Sequence, residues 1–398
     1  MTPEAAARPI PQAEPGSPGA PCAYAHLRAH DPVCRAAIPR GEGAWLVTRH
    51  AEVRAALTDP RLVRPRAGTW PPGPPPARPP RPTLAELPEA EHTRIRSAIS
   101  PFFSARRLEP QSDRIRALAE ECVDDLVRQG PPADLRAGFA APFPLRVLCA
   151  LLGADPAEEA RFGPHVRTVL DPAAAPREAY LASVAELEDY AALLADRTPR
   201  GTGSGLTPPL PAVLAAEGTL DRADRTLVIQ SLLVAGYHTV AQHLGGALAA
   251  LLQRPHGLAE VCASPHTLDT AVEELLRHVP LMNTSVLLVA TEDIELGDRR
   301  IARGEAVIPV LASANRDRAV FADPDDLLPR RRPNPHLAFG RGPHHCLGAH
   351  LARMELRIGL AVLAERLPGA RLAVPAHTLA WDDSELRAPL RLPVTWSA

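Results

Sequence analysis

The six cysteines are Cys22, Cys34, Cys122, Cys149, Cys262 and Cys346, and the last stands in a run unlike the others. Residues 339–353 read F-G-R-G-P-H-H-C-L-G-A-H-L-A-R. Gly340, Gly342 and Pro343, just before Cys346, require a tight loop that neither a regular helix nor a strand tolerates. After Cys346 the pattern turns helical. The thiol is therefore expected at a helix N-terminus, where the dipole and free amides favour a thiolate. Gly340, Gly342, Gly348 and Ala349 are small enough for a flat, bulky group to lie against the backbone. A thiolate so placed suits axial ligation of haem iron, where its electron push favours O–O cleavage. Two other readings stand beside this one. A buried free cysteine is commonly a small hydrophobe, and His344, His345, Cys346 and His350 also have the donor types of a zinc cluster.

Three further constellations carry chemistry. Residues 232–243 read L-L-V-A-G-Y-H-T-V-A-Q-H. A mid-helix glycine costs about 1 kcal/mol relative to alanine. The Thr239 hydroxyl can bond a carbonyl one turn back and open the helix there. Such a kink makes room for dioxygen and water. His92 and Arg96, four apart, can both reach a carboxylate, Arg96 in bidentate fashion; spacing of this kind also fits an ordinary solvated face. Glu274 and Arg277 are three apart and can pair, and at a surface such a pair is worth little.

The elements that must position these groups are mostly helical. Of 398 residues, 45% are hydrophobic and 4% aromatic, so aliphatic side chains fill the core. Helical periodicity covers 113–128, 143–152, 176–196, 257–278 and about 347–366, with the longest run at 221–253. A strand at 44–48 precedes a short helix at 50–58. Residues 285–311 read as short strands with turns at Gly297 and Gly304, and short strands close the chain around 370–397. Phe102 and Phe103 read as core. The proline-rich run 66–82 is an extended loop, and 197–209 is a second loop. Residues 1–20 read as a flexible Pro/Ala-rich tail and 21–398 as one domain, mainly α with a small β portion.

Net charge is −2 and the pI about 6.7, without the clustered basic excess of a nucleic-acid footprint. No C-x-x-C pair occurs, and a chain of this length needs no disulfide staples, which points to a reducing compartment. No apolar run approaches the roughly 18 residues of a membrane span, nor a signal peptide. The expectation is a cytoplasmic protein with no nucleic-acid or membrane partner.

Taken together, the motifs resemble the cytochrome P450 superfamily, in its soluble bacterial, actinomycete-like class. The signature F-G-x-G-x-[HR]-x-C-x-G is matched at Phe339, Gly340, Gly342, His344, Cys346 and Gly348. E-x-x-R at Glu274 and Arg277, H-x-x-x-R at His92 and Arg96, and a segment containing Ala314 to Asp317, Phe321 and residues 323–325 follow the family's order, from about residue 30 to 396. The resemblance implies a triangular-prism α-rich domain with a long central helix over haem b, held by Cys346. It makes His92, Arg96 and His344 propionate-side residues, with His336 a weaker candidate, and Glu274–Arg277 a buried structural pair.

Two positions depart from the family's pattern. In A-G-x-[DE]-T, Ala235, Gly236 and Thr239 match, while His238 occupies the acid position; histidine can move protons too, its pKa lying near neutrality. Where the family usually has an arginine two residues before Ala290, this chain has Leu288.

The resemblance implies a monooxygenase drawing electrons from NAD(P)H through a separate ferredoxin and ferredoxin reductase. By analogy the pocket is lined by 66–90, 163–185, Leu232 to Val240, Met282 to Leu287 and 385–390. Its polar groups would be Asn283, Thr284, Tyr237 and Arg387. A moderately polar small molecule of secondary metabolism, free or carrier-bound, fits this mixture. Oxidative coupling of an aromatic or peptide substrate without oxygen insertion is an alternative, as is a catalytically silent haem-binding docking module.

Overall fold

The computed structural model describes residues 8–14, 19–38, 43–65, 83–171, 175–197, 208–282, 284, 286–382, 384 and 386–397. The loop expected at 66–82 and most of that at 197–209 lie outside these residues, as does Asn283.

The elements that bear on the site are, among strands, β1 Arg8–Pro9, β2 Val33–Ala37, β3 Ala44–Val47, β4 Leu62–Val63, β5 Leu288–Ala290 and β6 Ala306–Pro309. Among helices they are α1 Glu89–Ile99, α2 Ser112–Gln129, α3 Pro142–Leu152, α4 Glu159–Leu170 and α5 Arg177–Asp196. Further on come α6 Arg222–Ala235, α7 His238–Leu252, α8 Pro265–His278 and α9 Ala349–Arg366. The strands form one sheet in the order β1-β2-β3-β6-β5-β4. The structure is thus mainly helical with small sheets, as expected.

The helices pack around two apolar centres. One gathers α2, α3, α7, α8 and α9 around Phe139, Phe143, Leu248 and Leu360. The other gathers α1 and α3 to α6, with Phe103, Phe162 and Tyr190 inside. The apolar stripe of α2, Ile115, Leu118, Ala119, Cys122, Val123 and Leu126, is buried as its 3.6 periodicity requires. Among the described residues no single helix is long and apolar enough to cross a membrane.

Three local readings are refined. The segment read as one helix over 257–278 is two, because the Ser264 side chain accepts the Thr267 amide at 3.1 Å and Pro265 takes the first turn of α8. Arg8–Pro9 joins the sheet where the sequence suggests a flexible tail. It pairs with β2, and Arg8 binds Asp31 at 3.0 Å. The run 221–253 is broken at Gly236 and Tyr237 into α6 and α7.

Candidate active site

The cysteine loop is held by its own backbone. The Cys346 amide donates to the Phe339 carbonyl at 2.9 Å, that of Gly340 to Leu337 at 2.8 Å, and that of His345 to Gly342 at 3.0 Å. Gly340 and Gly342 both have positive φ, 69° and 75°; a Cβ on Gly342 would also meet the Leu57 carbonyl oxygen at 2.7 Å. α9 starts at Ala349, directly after Gly348 and three residues beyond Cys346, so the thiol does sit just ahead of a helix. A Cβ on Gly348 would meet nothing within 4 Å, leaving that face of the loop open. Ala349, expected on the same open face, instead turns into the core.

Cys346 keeps an accessible side chain, yet the protein around it desolvates the thiol and raises its pKa. The Gly348 amide, Arg96 and Arg353 act the other way, favouring the thiolate. Among the described residues no three His, Cys, Asp or Glu side chains are grouped to hold a metal ion, so the zinc reading has no support.

On one side of the loop stands α1. His92 is buried, and its ring lies 4.4 Å from that of His344. Arg96 donates to the His345 carbonyl, tying α1 to the loop. The structure therefore brings His92, Arg96, His344 and Cys346 together. It adds Arg64, just after β4, which the sequence reading missed. Burial lowers the Arg64 pKa to about 10, with Glu86 opposing and Arg96 reinforcing the shift. Burial lowers His344 to about 4, helped by Arg64, His92 and Arg96. His336 goes elsewhere than to this group: its Nε2 meets Glu273 Oε2 at 3.0 Å, beside Arg353.

Behind the loop, the Glu274–Arg277 pair is fully enclosed, with both side chains 0% exposed and two contacts of 2.8 Å. Arg331 adds two more at 3.0 and 3.1 Å, and the Leu328 amide another at 2.8 Å. Arg277 reaches the carbonyls of Asn315, Pro324 and Asp326 at 2.7–2.9 Å. Asn315 Oδ1 in turn accepts the Leu337 amide at 2.7 Å. This network ties α8 to the segment that leads into the cysteine loop.

At the break between α6 and α7, the Thr239 hydroxyl donates to the Ala235 carbonyl at 2.6 Å. Gly236 is needed for space: a Cβ there would meet the Leu232 carbonyl oxygen at 2.4 Å and Leu148 Cδ1 at 2.8 Å. Ala235 is exposed within the fold while Leu232 and Leu233 are buried. His238 lines a cleft of about 640 Å³ whose polar groups include Arg136, Glu159, Arg167, Gln242 and Asp382. Thr239 is not among the cleft's lining residues. Glu159 Oε1 accepts from the Tyr237 hydroxyl and from Arg167, both at 3.2 Å. Burial, then Arg167 and Arg136, lower the His238 pKa to about 4. Of the expected pocket lining, Arg167, Thr168, Leu170, Asp171, Ala175, Tyr237, His238 and Leu386 line this cleft; Glu159, Arg136 and Asp382 are among those not foreseen.

Residues 265–367 match the family model "Cytochrome P450". The chain is 41% identical to nocardicin C N-oxygenase of Nocardia uniformis subsp. tsuyamanensis, over 94% of each protein. The chain belongs to the cytochrome P450 family. It is also 38% identical, over 94% of each, to mycinamicin IV hydroxylase/epoxidase of Micromonospora griseorubida. Among solved structures it resembles the LnmA cytochrome P450 hydroxylase from the leinamycin pathway of Streptomyces atroolivaceus, with a TM-score of 0.83 and 37% identity over 97% of this chain and 98% of that one. The P450 is thus an oxidoreductase of the monooxygenase kind, and its family carries a haem-thiolate cofactor. The residues present fit that group: an accessible sulfur, an open face over Gly348, and clustered basic side chains with an Arg64 Nε that has no partner among the described residues.

Proposed function

We propose that this P450 oxygenates a small, moderately polar secondary metabolite, free or carrier-bound, using NAD(P)H-derived electrons passed through a ferredoxin reductase and a ferredoxin in the cytoplasm. The observation that carries the reading is the broken helix, whose Thr239 hydroxyl is fixed on the Ala235 carbonyl at 2.6 Å. When bound, haem b held by the Cys346 thiolate would supply dioxygen activation. Cys346 would be the metal ligand; His92, Arg96 and His344 would meet the cofactor's carboxylates, and Phe339, Gly340 and Gly348 would shape its seat.

The remaining roles belong to the chain. With Ala235 and Gly236 leaving space at the break, Thr239, its proton given to Ala235, holds a water there as an acceptor. His238, neutral with its pKa at about 4, has one ring nitrogen that donates and one that accepts. It can therefore pass a proton from the cleft toward Thr239 without holding it. Glu159, braced by Tyr237 and Arg167, puts a carboxylate in the cleft that position 238 lacks. The names of relatives acting on nocardicin C and mycinamicin IV support a secondary-metabolite substrate.

The test is a Soret titration of the purified ferric protein with β-lactams, macrolides, phenols, indoles and cyclic dipeptides, followed by product mass after turnover with ferredoxin and reductase. A high-spin shift and a product one oxygen heavier support the proposal. A product lighter by two hydrogens, without added oxygen, would replace it with oxidative coupling. Absence of the thiolate-type carbonyl spectrum would overturn the assignment of Cys346.

A further inference from the structure

The strand register places Arg64 in a telling position. β4 pairs antiparallel with β5, Leu62 opposite Ala290 and Val63 opposite Val289. Arg64 follows Val63 directly and Leu288 precedes Val289, so the two stand at the same end of this pairing. Leu288 itself is 5% exposed and packs with Val47, Val307 and Leu62 in the apolar cluster under the sheet.

Arg64 differs from the other charged groups around it. Its Nε is enclosed and has no acceptor among the described residues. Its electrostatic neighbours are Glu86 and Arg96, and Glu86 Oε2 already accepts the Thr83 amide at 2.8 Å. His92 and His344 feel Arg64 as well. The corner beside the cysteine loop therefore gathers two guanidiniums and two imidazoles against little acid. An enclosed guanidinium N–H without an acceptor is costly, and a ligand carboxylate is the group that would relieve it, as a charge-assisted bond to a planar fork.

We propose that Arg64, just after β4, anchors a haem carboxylate, doing from there what Leu288 cannot do from β5. The proposal rests on the haem reading above. It assigns a cofactor contact to a residue outside the cysteine loop and α1, and it explains how this chain tolerates leucine at 288.

The experiment measures transfer of haem from the purified ferric holoenzyme to excess apomyoglobin. It compares wild type, Arg64→Leu, Arg64→Lys, and the double variant Arg64→Leu with Leu288→Arg. Arg64→Leu should release haem roughly tenfold faster or more, given the strength of charge-assisted bonds. Arg64→Lys should fall between it and wild type, and the double variant should return most of the retention. Thermal unfolding of the haem-free proteins should not separate wild type from Arg64→Leu. Wild-type release rates in Arg64→Leu would overturn the proposal. So would a double variant that releases haem as fast as the single one, or a loss confined to the stability of the haem-free protein. A wild-type protein that binds no haem would instead overturn the functional reading itself.

Discussion

The hydroxyl of Thr239 and the carbonyl of Ala235 meet at 2.6 Å across the break between α6 and α7. In an unbroken helix that carbonyl would accept the backbone amide of residue 239. Here a side chain takes it, and α7 begins again at His238.

Thr239→Ala removes this contact and the lone pair that holds the water. Gly236 and the break should persist, since the space at Gly236 is set by Leu232 and Leu148. Product per NAD(P)H should fall by roughly 10²-fold, the usual scale for a lost proton-handling group, with peroxide rising in its place. The carbonyl spectrum should stay unchanged. Measuring NAD(P)H, peroxide and product together decides it; coupling equal to wild type would remove Thr239 from the relay.

His238 offers a finer test. Because burial and two arginines hold its pKa at about 4, the ring is neutral from pH 8 to 5 and charges only as pH falls through 4. The kcat profile should therefore show no step near 6.5, the ordinary histidine value. His238→Ala should lower coupled turnover roughly tenfold or more, and His238→Asp should restore much of it. Equal coupling in all three proteins would leave Thr239 and water as the whole relay.

The enclosed Glu274 accepts from Arg277 and Arg331 at once. Arg277→Ala removes one partner and strands the carboxylate against a single remaining cation. Breaking a buried pair costs about 3–5 kcal/mol. The variant should accumulate with little haem, and its denaturant midpoint should drop accordingly. Full haem content with wild-type stability would mean that Arg331 alone suffices.

Much of this arrangement was legible in local pattern. The stripe of α2 and the turn residues around Cys346 each specify their own conformation, and the structure follows them. The break after Ala235 was foreshadowed by a glycine and a threonine at the right spacing. Ser264 and Pro265 carried a helix-start signal that the longer periodicity masked. What was not legible depends on contacts between distant segments. Arg331 meets Glu274 from 57 positions away, and Glu159 reaches the cleft from a different helix than His238. The nearness of Arg64 to the end of the β4–β5 pairing is a contact that side-chain alternation within either strand does not reveal. His336 was drawn to the wrong partner because sequence proximity to the cysteine loop says nothing of Glu273 on α8.

Two histidines outside the cleft give the fold a pH dependence of its own. His243 is wholly enclosed, its Nε2 without a partner among the described residues, and burial lowers its pKa to about 4. His278 is lowered further, to about 2, by burial and then by Arg316 and Arg277. Both stay neutral in the folded chain, while in the unfolded chain they take up protons near pH 6.5. Their contribution is therefore fully present above pH 6.5 and is lost as pH falls toward 4, with His278 continuing to lose it below that. For His243 alone the loss is on the order of 3 kcal/mol. Denaturant midpoints of the ferric holoenzyme should decline between pH 7.5 and 4.5, and His243→Gln, which cannot take up the proton, should decline less steeply. A variant whose midpoint falls in parallel with wild type would assign the acid sensitivity to other groups.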